Sequence, residues 1–459
     1  MRHAMRPAVF AVLALVVLQG CGADVEHRAA PDAASKDPGR DGHATRDLQT
    51  WGRDQAEAVQ ILPGIHQAWG VGNAQMVVTS AGNVVIDTGL PDQAEALRER
   101  LRRVSDAPVR AIVLTHAHMD HVGGTDVFRE DGTEVIAHRE LPRVQRTLKE
   151  LAPFFLRRNK ALYPEEVPDI PDNLLGRLAL GALYPTFEPT LLFDDRHAFE
   201  LGGVRFEVIH TPGAEGRDNV CVWLPGRRVL FSGDFFGPIF PMWPNLYTIR
   251  GEPIREALPY VDSLNTVLAL RPDVIVPSHF EAIHGAERIA ADVTRIRDAV
   301  LYVHEAVVDG MNRGDSLETL MAGIRLPDRL ALTEAHGKVA WGVRAIWESA
   351  TGWFRYDSAT ELYAVPASSV HPEIVAMAGG ADAVARRAAG RVEAGEPEQA
   401  LHLVEMALVA EPNHRASLEA KLAALRQLQE RSGDVNHSEV FWLRHAVEQT
   451  RARLGGPSG

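Results

Sequence analysis

The sequence holds only two cysteines in 459 residues, Cys21 and Cys221. That excludes a disulfide framework, and Cys221, just past a turn on an apolar run, reads as a buried structural thiol. Long basic runs are missing too. Lys+Arg number 48 against 61 Asp+Glu, a formal net charge of −13, so no nucleic-acid partner is expected. The apolar run in PAVFAVLALVVLQGC is too short to span a bilayer comfortably. It follows the basic segment MRHAMR and has the character of a signal-peptide core.

That run lacks a small-x-small cleavage site and ends in LQGC, so residues 1–21 resemble a bacterial lipoprotein signal with Cys21 lipidated after cleavage. The expectation is an exported protein facing the periplasm or cell exterior, touching the membrane only through its lipid anchor. The remaining composition, 46% apolar and 24% charged, is ordinary for a globular protein. The length suggests two or three domains. Residues 22–56, rich in Asp, Arg, Ala and Gly with little periodicity, read as a flexible tether.

From about residue 60 the pattern changes. AQMVVTSAGNVVIDTG is two β-rich runs around a turn, PDQAEALRERLRRV an amphipathic helix, PVRAIVLTHAH a buried strand opening into a loop, and TEVIAHREL another strand. Strands and helices alternate in this way to about residue 286, which predicts a layered α/β domain over 57–286. Residues 140–195 interrupt the rhythm with a Pro-rich aromatic stretch, either an insertion over the site or a plain helical connection. From 287 to 435 no strand pattern remains. One helix pair there, AGEPEQALHLVEMALVAEPNHRASL, resembles a tetratricopeptide unit, which must pack on something because it cannot bury its own face. Residues 436–459 read as a C-terminal helix and tail.

Nineteen histidines mean little as a total; their spacing does. In THAHMDHVGG, residues 115–124, four ligand-type side chains (His116, His118, Asp120, His121) fall in six positions after the strand RAIVL. Alternation puts residues 116, 118 and 120 on one side of an extended loop, and imidazole with carboxylate suits zinc and related ions. A second stretch, VIHTPGAEGRDN, places His210 before a Thr-Pro-Gly turn and Glu215 after it, either of them a possible ligand.

THAHMDHVGG is the motif of the metallo-β-lactamase fold, and the chain resembles that family's zinc-dependent alkylsulfatase branch. The resemblance implies an αββα sandwich followed by an all-α dimerisation domain. It implies Glu215 as ligand in place of the usual histidine, with His210 a strand-end residue. It matches Asp234, at the end of VLFSGDFFG, to a metal-bridging carboxylate, where that branch usually has glutamate. In DVIVPSHFEAIHG, His279 matches the last ligand and His284 falls on the rim. The implied set is His116, His118 and Glu215 on one metal and Asp120, His121 and His279 on the other, with Asp234 bridging: two Zn2+ per subunit. Such a pair lowers the pKa of a bridging water to around 7.

PNLYTIRG resembles the branch's NLYT-x-RG stretch and implies Arg250 as sulfate clamp, with Asn245 and Tyr247 as further substrate contacts and Asp120 beside Arg250 in the catalytic set. Between Asp234 and Arg250 the chain is longer than the family pattern, through GPIFPMWP, so a reshaped pocket wall is expected. Further on, GWF and GGAD resemble elements of the dimerisation domain. Homodimers through faces near Trp341, Trp347 and Trp353 are therefore expected. The branch's usual C-terminal sterol-carrier-like domain has no counterpart in this sequence, which turns the expectation from long detergent-like substrates towards short or branched sulfate esters. The alternatives are a superfamily hydrolase of another ester, lactone or phosphoester, and a non-catalytic lipoprotein interaction module.

Overall fold

The computed structural model describes residues 48, 50–162 and 187–455. The signal peptide with Cys21, most of the tether and residues 163–186 of the Pro-rich stretch lie outside the described residues. At the end of the expected tether, residues 50–56 pack onto the domain. The ring of Trp51 lies 4.7 Å from that of Trp69 and 4.8 Å from that of Phe280, burial that a solvated linker would not provide.

Two sheets form the next level. The first runs β1 (Val59–Leu62), β2 (Ile65–Ala68), β3 (Ala74–Thr79), β4 (Gly82–Ile86), β5 (Val109–Val113), β6 (Glu134–His138) and β7 (Leu191–Phe193), in that spatial order. It is antiparallel as far as β4 and parallel from β4 to β7. The second contains β8 (Arg196–Leu201), β9 (Val204–His210), β10 (Val220–Leu224), β11 (Val229–Gly233), β12 (Val274–Pro277) and β13 (Ile283–His284), also in sequence order.

Period-2 alternation determines what each strand packs against. In β4, Val84 and Ile86 face the gap between the sheets, while Val85 faces outward. In β10, Val220, Val222 and Leu224 fill the gap, while Cys221 and Trp223 face the other way. Because both faces are apolar, both sheets are covered by helices. Leu97 and Leu101 of helix Ala94–Arg102 cover the first sheet. Helices Ala257–Leu270 and Ala286–Arg313 cover the second through Leu264, Val293, Ile296 and Val300. The result is the expected four-layer αββα sandwich, with Cys221 fully buried.

Packing continues across the expected domain boundary at 286/287. Helix Ala286–Arg313 lies on the sandwich, and its apolar cluster runs on into Leu317, Leu320, Val339, Val343 and Ile346. The GPIFPMWP stretch joins the two regions. Trp243 is fully buried, and a Cβ placed on Gly342 of helix Val339–Thr351 would come within 2.6 Å of it. Glycine is therefore required there by close approach. The tetratricopeptide-like pair corresponds to helices Pro397–Ala410 and Arg415–Ser432, packed on Ala381–Glu393 through small residues such as Ala388, Ala400, Ala420 and Ala424, and on His437–Gly455 through Leu425, Leu443 and Val447. Among the described residues, no helix is long and apolar enough to cross a membrane.

Since Trp243 ties the pocket loop to the helical region, Trp243→Ala is expected to cost about 3–5 kcal/mol, the range for deleting a large buried aromatic. A urea midpoint equal to that of the wild type would contradict this.

Candidate metal centre

The ligand-type residues meet because they follow different strands that end at the same edge of the sandwich. His116 and His118 lie in the loop after β5, and Asp120 and His121 in the helical turn Met119–Val122 that follows it. Glu215 comes after β9, beyond the Thr211–Gly213 turn. There Gly213 has φ 108°, and a Cβ on it would meet Tyr260 N at 2.3 Å, so the turn requires glycine. Asp234 follows β11 and His279 follows β12.

Two groups form. Ligand atoms of His116, His118, Glu215 and Asp234 lie within 4.8 Å of one another, as do those of Asp120, His121 and His279. Asp234 connects the two: its Oδ2 is 3.0 Å from His279 Nε2 and 3.4 Å from His121 Nε2. Neither His210 nor His284 belongs to these groups. His210 stacks on His138 with centroids 3.8 Å apart, and its Nε2 is 2.8 Å from the Arg217 carbonyl oxygen.

Each of the four histidines is held by its outer nitrogen. Thr115 Oγ1 donates to Asp87 and lies 3.1 Å from His116 Nδ1, so it accepts from that ring. Glu252 Oε1 lies 3.2 Å from His118 Nε2, and Asp87 Oδ2 2.9 Å from His121 Nδ1. The Val71 carbonyl accepts from His279 Nδ1. With the outer nitrogens protonated, the inner ones present lone pairs to the cluster, the arrangement that outer partners of metal-binding histidines produce.

This geometry fits a metal. His116 Nε2 and His118 Nδ1 converge to 2.9 Å, so with their outer nitrogens protonated both turn lone pairs to one point, where a cation would fit. His121 Nε2 and Asp234 Oδ1 are buried with no hydrogen-bond partner among the described residues. Burial, His121 and His118 hold the His116 pKa well below the usual imidazole value, which keeps it neutral. Burial raises the Glu215 pKa against the pull of Arg255 and His118. For Asp234 burial acts upward too, but His279 and His121 outweigh it and hold the carboxyl well below its usual range.

Above the cluster opens a cavity of about 290 Å³. His118, Asp120, Glu215, Asp234, Arg250, Glu252, His279 and His336 supply its polar lining, and Leu148, Phe155 and Leu156 are among its apolar walls. Arg250 is thus part of the cavity wall. Asn245 and Tyr247 are not among the lining residues. Tyr247 Oη donates to Glu348 Oε2 at 2.9 Å, tying the loop to helix Val339–Thr351, and the carbonyl of buried Asn245 accepts from Arg255. The described part of the Pro-rich stretch, helices Leu141–Glu150 and Ala152–Asn159, supplies Leu148, Phe155, Leu156 and Asn159 to the wall.

The sequence reading did not single out Asp87, Glu252, Arg255 or His336. Asp87 had a signal, a carboxylate closing the apolar run VVIDTG. Glu252 and Arg255 lay in plain view in RGEPIRE, beside Arg250. His336 had none, because it reaches the pocket from the helical region. Its loop is held by buried Asn436, whose Nδ2 donates to the carbonyls of Glu334 at 2.7 Å and His336 at 3.1 Å.

Residues 68–279 match the metallo-beta-lactamase superfamily, and residues 317–450 match the alkyl sulfatase dimerisation family. The chain joins a domain of each. The chain is 29% identical to a linear primary-alkylsulfatase of a Pseudomonas species over 81% of its own length and 73% of that protein. It is 24% identical to an alkyl/aryl-sulfatase of Saccharomyces cerevisiae, covering 82% of this chain and 62% of the other. In fold it is similar to a stereoselective inverting sec-alkylsulfatase from Pseudomonas, with TM-score 0.73 and 21% identity, covering 88% of this chain and 66% of that one.

The His138–His210 stack predicts acid sensitivity. Burial, with His210 adding to it, depresses the His138 pKa from 6.5 to about 4. Between those values the unfolded chain binds a proton that the folded protein does not, so this contribution to stability is present above pH 6.5 and lost as pH falls towards 4. His138→Gln should flatten that part of a stability-versus-pH profile, and an unchanged slope would count against the assignment.

Proposed function

We propose that the protein is a binuclear zinc hydrolase that cleaves alkyl or related sulfate esters to alcohol and sulfate. The observation that carries this reading is Arg250, whose guanidinium lines the same cavity as His118, Asp120, Glu215, Asp234 and His279. The names of the relatives support it. In this reading His116, His118 and Glu215 hold one ion, Asp120, His121 and His279 the other, and Asp234 lies between them. Bound zinc would supply Lewis acidity, bringing the pKa of water down to around 7.

The chain's own residues do the rest. The planar guanidinium of Arg250 offers two parallel donors to a tetrahedral oxyanion. Leu148, Phe155 and Leu156 take up the carbon portion of the ester and keep water from it. His336 presents an imidazole whose pKa is held well below the usual value by burial, Arg250 and His437, and whose Nδ1 has no hydrogen-bond partner among the described residues. It lines the cavity as a neutral group. A second reading, hydrolysis of a less anionic ester, is favoured by Glu252, whose Oε1 lies 3.3 Å from Arg250 Nη2 and offsets its charge.

The reading includes a homodimer formed through the helical region. Of the three tryptophans expected at that interface, Trp347 packs into the core and Trp341 is half-buried, while Trp353 is 72% exposed. It begins an apolar series with Tyr356 (88% exposed), Tyr363 and Met377 (81%), a stretch that a partner copy would cover. Export and lipid anchoring at Cys21 belong to the same proposal and rest on the order of basic segment, apolar run and cysteine in residues 1–21.

Two outcomes test the proposal. Arg250→Lys keeps the charge but loses the paired donors, and should cost about 1.5–3 kcal/mol, tenfold or more in kcat/KM for sulfate release from an alkyl sulfate. A wild-type rate in Arg250→Ala would transfer the case to the less anionic ester. Light scattering at micromolar concentration should give the mass of a dimer, and a monomer would remove that part of the reading.

A further inference from the structure

One carboxylate in the cavity wall belongs to neither ligand group, yet it touches three of the residues that shape the site. Glu252 Oε1 lies 3.2 Å from His118 Nε2 and 3.3 Å from Arg250 Nη2. Its Oε2 accepts from Arg255 Nη2 at 2.6 Å, and the same nitrogen donates to Glu215 Oε1, also at 2.6 Å. Arg255 is buried and has two further acceptors, the carbonyls of Ala214 and Asn245. Its position is therefore set by backbone, and it sets Glu252 in turn.

We propose that Glu252 is a positioning residue for the metal held by His116, His118 and Glu215. An imidazole can carry its proton on either nitrogen, and only the tautomer protonated at Nε2 turns an Nδ1 lone pair towards His116 and Glu215. Glu252 accepts that Nε2 proton, which fixes both tautomer and ring orientation and makes Nδ1 a stronger donor to a cation. The other three histidines take their outer partners from residues at strand ends or beside them: Thr115, Asp87 and Val71. His118 alone depends on the loop that carries Arg250. Glu252 thereby makes retention of one metal, and not the other, depend on how that loop is seated.

This rests on the metallohydrolase reading above and is tested by a measurement of metal, not of turnover. The full-length protein is titrated with Zn2+ against a chromophoric chelator, and Co2+ spectra report the coordination of each site. Removing an outer partner of a metal-binding histidine lowers affinity by about 10–100-fold. Glu252→Ala should show that loss at one site and keep the other at wild-type affinity. Glu252→Gln retains an acceptor oxygen and should lose severalfold at the same site. Arg250→Ala, next to the same cavity, should retain both ions. Two wild-type affinities in Glu252→Ala, or equal weakening in Arg250→Ala, would overturn the proposal. If the alanine variant does not fold, the glutamine variant decides: loss confined to one site supports the role, while no loss or equal loss at both overturns it. A wild-type protein that binds no metal would overturn the metallohydrolase reading together with this one.

Discussion

One buried guanidinium connects the parts of this site. Arg255 donates to Glu215 and Glu252 and to the carbonyls of Ala214 and Asn245. It thereby joins the turn after β9 to the loop that carries Arg250. Two carboxylates so close together would repel each other, and burial would favour their neutral forms. The guanidinium counters both effects with hydrogen bonds as well as charge; with Arg250 and His118 it prevails at Glu252, while burial still prevails at Glu215. Breaking such an arrangement by removing one partner is costly because it leaves a buried charge unpaired. The site is held by an ion-pair network as much as by its strands.

The layers of the sandwich were legible in the sequence because alternation and burial point the same way. The run AQMVVTSAGNVVIDTG appears as β3 and β4 in antiparallel register, with Val77 opposite Val84. The four ligand-type side chains of THAHMDHVGG were legible because they are close in sequence. Glu215, Asp234 and His279 could be placed only by resemblance, since nothing local shows that three strand ends will meet.

The sequence is a poor guide wherever a contact is long-range and made by an ordinary residue. Tyr247 looked like a pocket residue from its place beside Arg250, but its hydroxyl is held by Glu348, 101 positions away. Asp87 looked like a strand end and is the group that orients His121. Trp51 looked like part of a linker and is packed between two aromatic rings. In each case a partner that has no pattern of its own decides the outcome.

The clamp made by Asn436 on the segment around His336 bears on the order in which the pocket can be completed. Ribosomal synthesis delivers the N-terminal part of a chain first, and domains fold as they emerge. Every ligand-type residue of the metal centre has been made by His279, and the second sheet is covered once helix Ala286–Arg313 follows. His336 is held by a side chain a hundred positions further on. The cavity wall is thus the last part of the site to be closed, by a segment made long after the residues that would hold metal.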